Sequence, residues 1–365
     1  MTINPEVLRV ARESRGSTQA EVAAAAGVTQ GLISKVEQGL ATLGTDEAAA
    51  IAAFLGYPPE IFSEPGRIRE VGSPCLYHRK RKTLPAKVLT KLDARMYIRN
   101  VNARRLFEGL ELDGDRAFHT LDPDEYGSPV EVARALRRAW RLPEGPIPNL
   151  TALIESAGGI VLMEDFGHRK LFGMSCWTTR GHPLFFLNSS APTDDLRWTI
   201  AHELGHLTMH GTPSSEDPEE QADAFARELL TPREVFRHDV RNLKFDKLPA
   251  LKAYWRLPMK GIIKGAHAIG TINQATATRL YKQHSARGYN TAEPYPLSPE
   301  PPTLTATAAH IRLDELGYSP SELAAAVYLS EGEFYRCFLG EEPPAQGSNV
   351  IGLFDRPPAG TPSAS

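Results

Sequence analysis

Thr199-Ile200-Ala201-His202-Glu203-Leu204-Gly205-His206-Leu207-Thr208-Met209-His210 is the stretch around which the chain is organised. It holds one H-E-x-x-H pattern, His202 to His206. On a helix, histidines four residues apart leave the same face one turn apart. That geometry lets two imidazoles bind one Zn2+ ion. Glu203 is turned about 100° from His202, beside such a metal rather than on it. There it can take a proton from metal-bound water as a general base.

A catalytic zinc site needs a third protein ligand. His210 stands one further turn on, but three ligands spread over two turns of straight helix do not converge on one ion. Position 212 is Thr, so no histidine stands six residues past His206. The better candidate is downstream, in Glu219-Glu220-Gln221-Ala222-Asp223-Ala224-Phe225-Ala226-Arg227-Glu228-Leu229-Leu230-Thr231-Pro232. Glu219 and Asp223 share a helical face. Glu219 can ligate, and Asp223 can accept the other ring N–H of a ligand histidine and fix its tautomer. Glu220 faces another way and ranks second. No donor for a developing oxyanion stands out; His210, Tyr254 and His267 are the available guesses.

The chain has 365 residues, enough for two or three domains with a sizeable core. Its composition, 41% hydrophobic and 23% charged, is that of an ordinary globular protein. No apolar run is long enough for a membrane span, and the first residues open no signal peptide. Cys75, Cys176 and Cys337 are odd in number and widely spaced. That argues against a disulfide framework and for a reducing cytoplasm, and the absence of a C-x-x-C pair argues against a cysteine zinc site.

Residues 4 to 62 read as five short helices. Asn4 and Pro5 open the first, and Thr18-Gln19-Ala20-Glu21 is a capping box for the second. Gly27 makes a tight turn, and Thr29 caps a third helix from Gln30 to Gln38. Helix, glycine turn, helix is the arrangement that places its second helix in a DNA major groove. The stretches Leu8 to Arg12, Thr18-Gln19, Gly27-Val28-Thr29, Ile33 to Gly39 and Phe54 to Tyr57 resemble the Xre/Cro-type repressor DNA-binding domain. Thr29, Gln30, Ser34 and Lys35 lie at the start and outer face of the third helix. Gln can pair with adenine, Lys can reach guanine, and Thr or Ser serves base or phosphate. The resemblance implies that Gln19 contacts backbone phosphate. Such modules commonly act as two-fold dimers, so a homodimer on a double-stranded operator is expected.

Between Arg67 and Arg105 the only acids are Glu70 and Asp93, and Arg79-Lys80-Arg81-Lys82 is the centre of this basic run. It either touches DNA phosphates or forms a solvated face. Helices are expected over Lys87 to Leu106, Pro129 to Trp140 and Asn149 to Ala157. The period then changes. Gly159 to Met163, Met174 to Trp177 and Pro183 to Asn188 read as three strands, and Thr193 or Asp194 caps the helix carrying the opening motif. The plan is α+β.

Gly159 to Pro232 resembles the ImmA/IrrE metallopeptidases. The residues that carry the resemblance are Arg197, Ala201-His202-Glu203-Leu204-Gly205-His206, Glu219, Ala222, Phe225-Ala226, Leu229-Leu230 and Pro232. It implies a gluzincin-like site with His202, His206 and Glu219 as zinc ligands, Glu203 as catalytic base, and a repressor of the Xre type as the protein cleaved. Thr231 departs from the Leu-Met-Pro that members often carry. Leu251 to Met259 resembles the helix-turn-helix-like segment that follows the family's core, a second, weaker DNA contact.

The expected organisation follows. Residues 1–63 form a helix-turn-helix domain, 64–158 a basic linker and helical region, and 159–287 a zinc metallopeptidase domain. Residues 288–303 are a Pro-rich linker, 304–340 a small accessory helical region and 341–365 a disordered tail. The expected function is a cytoplasmic DNA-binding regulator carrying a zinc endopeptidase that relieves repression. The alternative is a non-proteolytic repressor or antitoxin that uses the second domain as a sensor or dimerisation module. The peptidase could also act on its own linker near residues 63 to 75.

Overall fold

The computed structural model describes residues 3–65, 84–110, 112, 116–168, 171–178, 181–209 and 217–344. The basic centre Arg79 to Lys82, most of the self-cleavage stretch, His210 and the tail from 345 lie outside the described residues.

The first helices begin and end where their caps dictate. α1 (Pro5–Arg15) starts at Asn4, whose side chain accepts from the Glu6 amide, and ends at Gly16 with φ +74°. α2 (Gln19–Ala25) carries the reciprocal Thr18/Glu21 capping box. α3 (Gln30–Glu37) is capped by Thr29. α4 (Thr45–Leu55) follows, and the expected fifth helix is a short 3-10 turn, Pro59–Ser63. Val7, Leu8, Ala11, Val22, Ile33, Val36, Ile51 and Phe62 close this bundle's core.

α5 (Ala86–Leu106) is a wall shared by two cores. Ala94, Ile98 and Val101 complete the helix-turn-helix core, whereas Leu92, Met96, Ala103 and Leu106 face the sheet. Four of its arginines are paired with acids of the molecule, while Lys87 and Lys91 are exposed. Arg95 and Arg99 hold Glu164 at the end of β1, and Arg104 and Arg105 hold Glu64. The charge of these four is thereby matched within the molecule.

α6 (Pro123–Tyr126), α7 (Pro129–Ala139) and α8 (Leu150–Ser156) lead into a three-stranded sheet. β1 (Ile160–Glu164), β2 (Gly173–Trp177) and β3 (Pro183–Asn188) lie in the order β1-β3-β2. β1 runs parallel to β3, with Val161 opposite Phe185; β2 runs antiparallel, with Met174 opposite Phe186. The period of two divides the side chains between faces. Val161, Phe185 and Leu187 join the core under the helices that follow. Ile160, Leu162, Met174, Cys176, Leu184 and Phe186 join the core on the other face.

α9 (Thr193–Met209) and α10 (Pro218–Leu230) cross closely at Gly205. A Cβ there would meet the Phe225 ring at 3.0 Å and the Ala222 Cα at 3.3 Å. Thr231, the departure from the family pattern, ends α10 by donating its hydroxyl to the Arg227 carbonyl. α11 (Arg233–Asp239), α12 (Leu248–Trp255), α13 (Met259–Ala268) and α14 (Gln274–Ala286) complete this side. Between α12 and α13, Arg256 adopts φ +55° and its guanidinium goes to Glu300.

Two expectations change here. The stretch 288–303 is a strap rather than a free linker, held by two carboxylates. Glu293 takes Lys252, the Met259 amide and His284. Glu300 takes Arg197, Arg256 and the Leu150 amide that opens α8. Nor is 304–340 an appendage. α15 (Leu304–His310), α16 (Pro320–Ala326) and α17 (Glu331–Phe334) put Ala308, Ala309, Leu323, Phe334 and, just beyond α17, Phe338 into the core beneath the sheet. The same region reaches the helix-turn-helix: Tyr328 enters its core, and Glu333 pairs with Arg15 of α1 at 2.6 Å. Among the described residues no helix is long and apolar enough to cross a membrane.

Candidate metal centre

α9 and α10 bring His202, His206 and Glu219 together, with one possible ligand atom from each lying within 4.8 Å of the others. The two Nε2 atoms are 3.1 Å apart. Glu219 lies 3.4 Å from His206 Nε2 and 3.8 Å from His202 Nε2. Tetrahedral zinc with ligands at about 2.0–2.1 Å separates its ligand atoms by about 3.3 Å, so the triad has the right span.

The contacts of the His202 ring fit such a site. His202 Nδ1 faces Asp223 Oδ1 at 3.1 Å. A proton on Nδ1, facing Asp223, would leave a lone pair at Nε2 turned toward His206, where a cation would satisfy both rings. Lys264 of α13 donates to the other Asp223 oxygen at 2.9 Å. Burial alone raises the Asp223 carboxyl pKa, but the bonds from His202 and Lys264 outweigh it and hold the group well below the usual carboxylate range. Asp223 is thus ionised and anchored on both sides. Asp223→Ala is expected to weaken zinc binding about 10- to 100-fold, read by competition with a chromogenic chelator. An unchanged affinity would show that Asp223 does not act on the metal.

Glu203 is fully buried between α9 and β2, and the Ser175 hydroxyl donates to its Oε2 at 2.6 Å. A cleft of about 560 Å3 is lined by His202 and Glu219 of the triad, by Asp223, Arg227 and Lys264, and by Phe172 and Gly173 at the strand; His206 and Glu203 lie buried behind it. Glu220 is exposed on the lining and outside the ligand cluster. Tyr254 and His267 do not line this cleft.

In the helix-turn-helix, Thr29 spends its hydroxyl on the Leu32 amide. Gln30 donates to Gln19 at 2.7 Å, and Gln19 donates to Glu37 at 2.8 Å. Glu37 is gripped by both arms of Arg12, at 2.6 and 2.9 Å. Gln19 and Gln30 are thereby set as a connected pair on the outer side of α2 and α3. Ser34 accepts from Gln38, and Lys35 is exposed.

The comparisons with known families agree with both halves. Residues 8–62 match the helix-turn-helix family, and residues 155–264 match the IrrE N-terminal-like domain of the M78 peptidases. The chain thus carries a match to each of these two families in one polypeptide. No curated protein matches it. The helix-turn-helix supports DNA binding, and the M78 match points to a metallopeptidase family whose members are typically metal-dependent.

Three side chains around the site were missed from sequence. Ser175 lay within an apolar strand, and its face is known only once β2 is placed against α9. Lys264 comes from a helix more than 40 positions beyond Asp223 and has no local signal. Arg227 did carry one, since Glu219, Asp223 and Arg227 repeat at four-residue intervals.

Proposed function

We propose that this chain is a transcriptional regulator that binds a DNA operator as a two-fold dimer and carries a zinc-dependent endopeptidase acting on a repressor-type protein. The observation that supports the enzymatic half is the convergence of His202, His206 and Glu219 within 4.8 Å, with Glu203 adjacent on the same helix.

Zinc bound by that triad would polarise the scissile carbonyl and bring the pKa of its water toward neutrality. The protein's own groups do the rest. Glu203 takes the proton from the attacking water and hands it to the leaving amine. Ser175 fixes one oxygen of Glu203 and so orients the carboxylate. Asp223 holds the His202 ring, and Lys264 holds Asp223. β2 pairs with β3 on one side, and its Gly173 end forms the lip of the cleft. An extended peptide entering the cleft meets strand backbone there.

The test uses purified full-length protein. It should bind about one zinc per chain, and it should cut a repressor-type substrate with zinc and not after chelation. A zinc-replete protein that leaves every such substrate intact would sink the endopeptidase reading.

The DNA half has its own test. Gln30→Ala is expected to cost about 1–3 kcal/mol at a specific operator and to relax the preference at one base pair. Lys35→Ala is expected to lower the slope of log affinity against log salt by about one if Lys35 meets phosphate. Titrations of labelled duplex at several salt concentrations read both. Wild-type affinity and slope in both variants would rule out this face of α3.

A further inference from the structure

Arg227 lines the metal cleft, and its position raises a question of charge. Its Nε is buried with no hydrogen-bond partner among the described residues. The nearest candidate acids are engaged elsewhere or left alone. Asp223, one turn before it, gives one oxygen to His202 and the other to Lys264. Glu219 faces the two histidines. Glu220 stands at the exposed lip and forms no ion pair with Arg227 among the described residues. The enclosed Nε is out of a ligand's reach, but the guanidinium lines the cleft and pairs with no acid among the described residues, so its charge is open to an anion on the ligand.

We infer that Arg227 is the anion-binding group of the substrate cleft, and that the peptides cut by this chain carry an aspartate or glutamate close to the scissile bond. The inference rests on the endopeptidase reading. Arg227 is eight residues beyond Glu219 on one face of α10, a rise of about 12 Å. An extended peptide advances about 3.3 Å per residue. The acidic residue therefore falls within about four positions of the cut. Trp198 and Lys264 also line a second cavity of about 700 Å3, walled by Tyr281 and Tyr289. Asp or Glu is favoured over a neutral carbonyl because the guanidinium forks onto a carboxylate with two parallel bonds.

The experiment has two arms on the full-length, zinc-loaded protein. In the first, a library of mixed decapeptides is digested and the cut sites are read by mass spectrometry. Asp or Glu is expected to be enriched at one position within about four residues of the cut. Arg227→Gln should erase the enrichment, Arg227→Lys should keep part of it, and Arg227→Glu should favour Lys or Arg there. Cleavage without acidic enrichment, or enrichment unchanged in Arg227→Gln, overturns the inference and leaves the endopeptidase reading standing. In the second arm, labelled decapeptides that differ by one Glu or Gln are titrated onto the Glu203→Gln variant by fluorescence anisotropy. The Glu peptide is expected to bind about 10- to 100-fold tighter, and Arg227→Gln should remove that difference. If the wild type cuts nothing yet this difference is seen, hydrolysis fails and the anion site stands. Equal binding of the two peptides overturns the anion site.

Discussion

Glu203→Gln should leave the zinc content of the protein unchanged and lower peptide hydrolysis about 100- to 10,000-fold. The two halves of that result separate for a structural reason. The ligand cluster is His202, His206 and Glu219, and Glu203 is not part of it. The Gln carbonyl can still accept from Ser175 Oγ, the 2.6 Å bond that orients the native carboxylate. Fold, metal and cleft are retained, and the lost element is an oxygen able to take and return a proton. Glu203→Ala is a poorer probe, because it leaves the Ser175 hydroxyl buried without this acceptor. Metal content by elemental mass spectrometry and kcat/KM on a labelled peptide decide the matter. Equal turnover in wild type and Glu203→Gln would remove the general-base role.

Glu300→Ala should destabilise the protein by about 3–5 kcal/mol, the typical cost of removing one partner from a buried ion pair. Arg197, on α9 five residues before His202, is 1% exposed, and the Glu300 side chain is 5% exposed. Burial pulls the Arg197 pKa down and Glu300 opposes it. Without Glu300 the guanidinium keeps the Ile147 carbonyl at 2.6 Å and loses its charge partner. Arg256 and the Leu150 amide lose an acceptor as well. The strap then comes away from α9, so the midpoint of urea unfolding should fall while Glu203→Gln, measured alongside, stays at the wild-type value. Glu300→Gln should fall between them, since it keeps hydrogen-bond acceptance and drops the charge. A wild-type midpoint for Glu300→Ala would show that the strap is passive.

The α+β plan and the capped helices were legible because their causes are local. An Asn, Thr or capping box marks a helix start within a few residues, and a change of period from about 3.6 to 2 marks the strands. His202 and His206 were legible for the same reason, since a four-residue interval on a helix fixes two side chains relative to each other. Glu219 and Asp223 were picked out by that interval too, although only the crossing of α9 and α10 at Gly205 sets them against the histidines.

The remaining features depend on partners far apart in sequence, which leave no periodic mark. Proline in 288–303 suggests an open linker, because Glu293 and Glu300 declare themselves only when Lys252, Arg197 and Arg256 are in place. Arg95, Arg99, Arg104 and Arg105 on α5 suggest a nucleic-acid face until Glu164 and Glu64 are seen to pair with them. The helices after 304 look accessory until the second face of the sheet requires a cover. Around the candidate metal centre the division is the same. One helical turn is enough to pair two imidazoles. The seats of Ser175, Arg227 and Lys264 are settled by how a strand and two further helices pack around that turn.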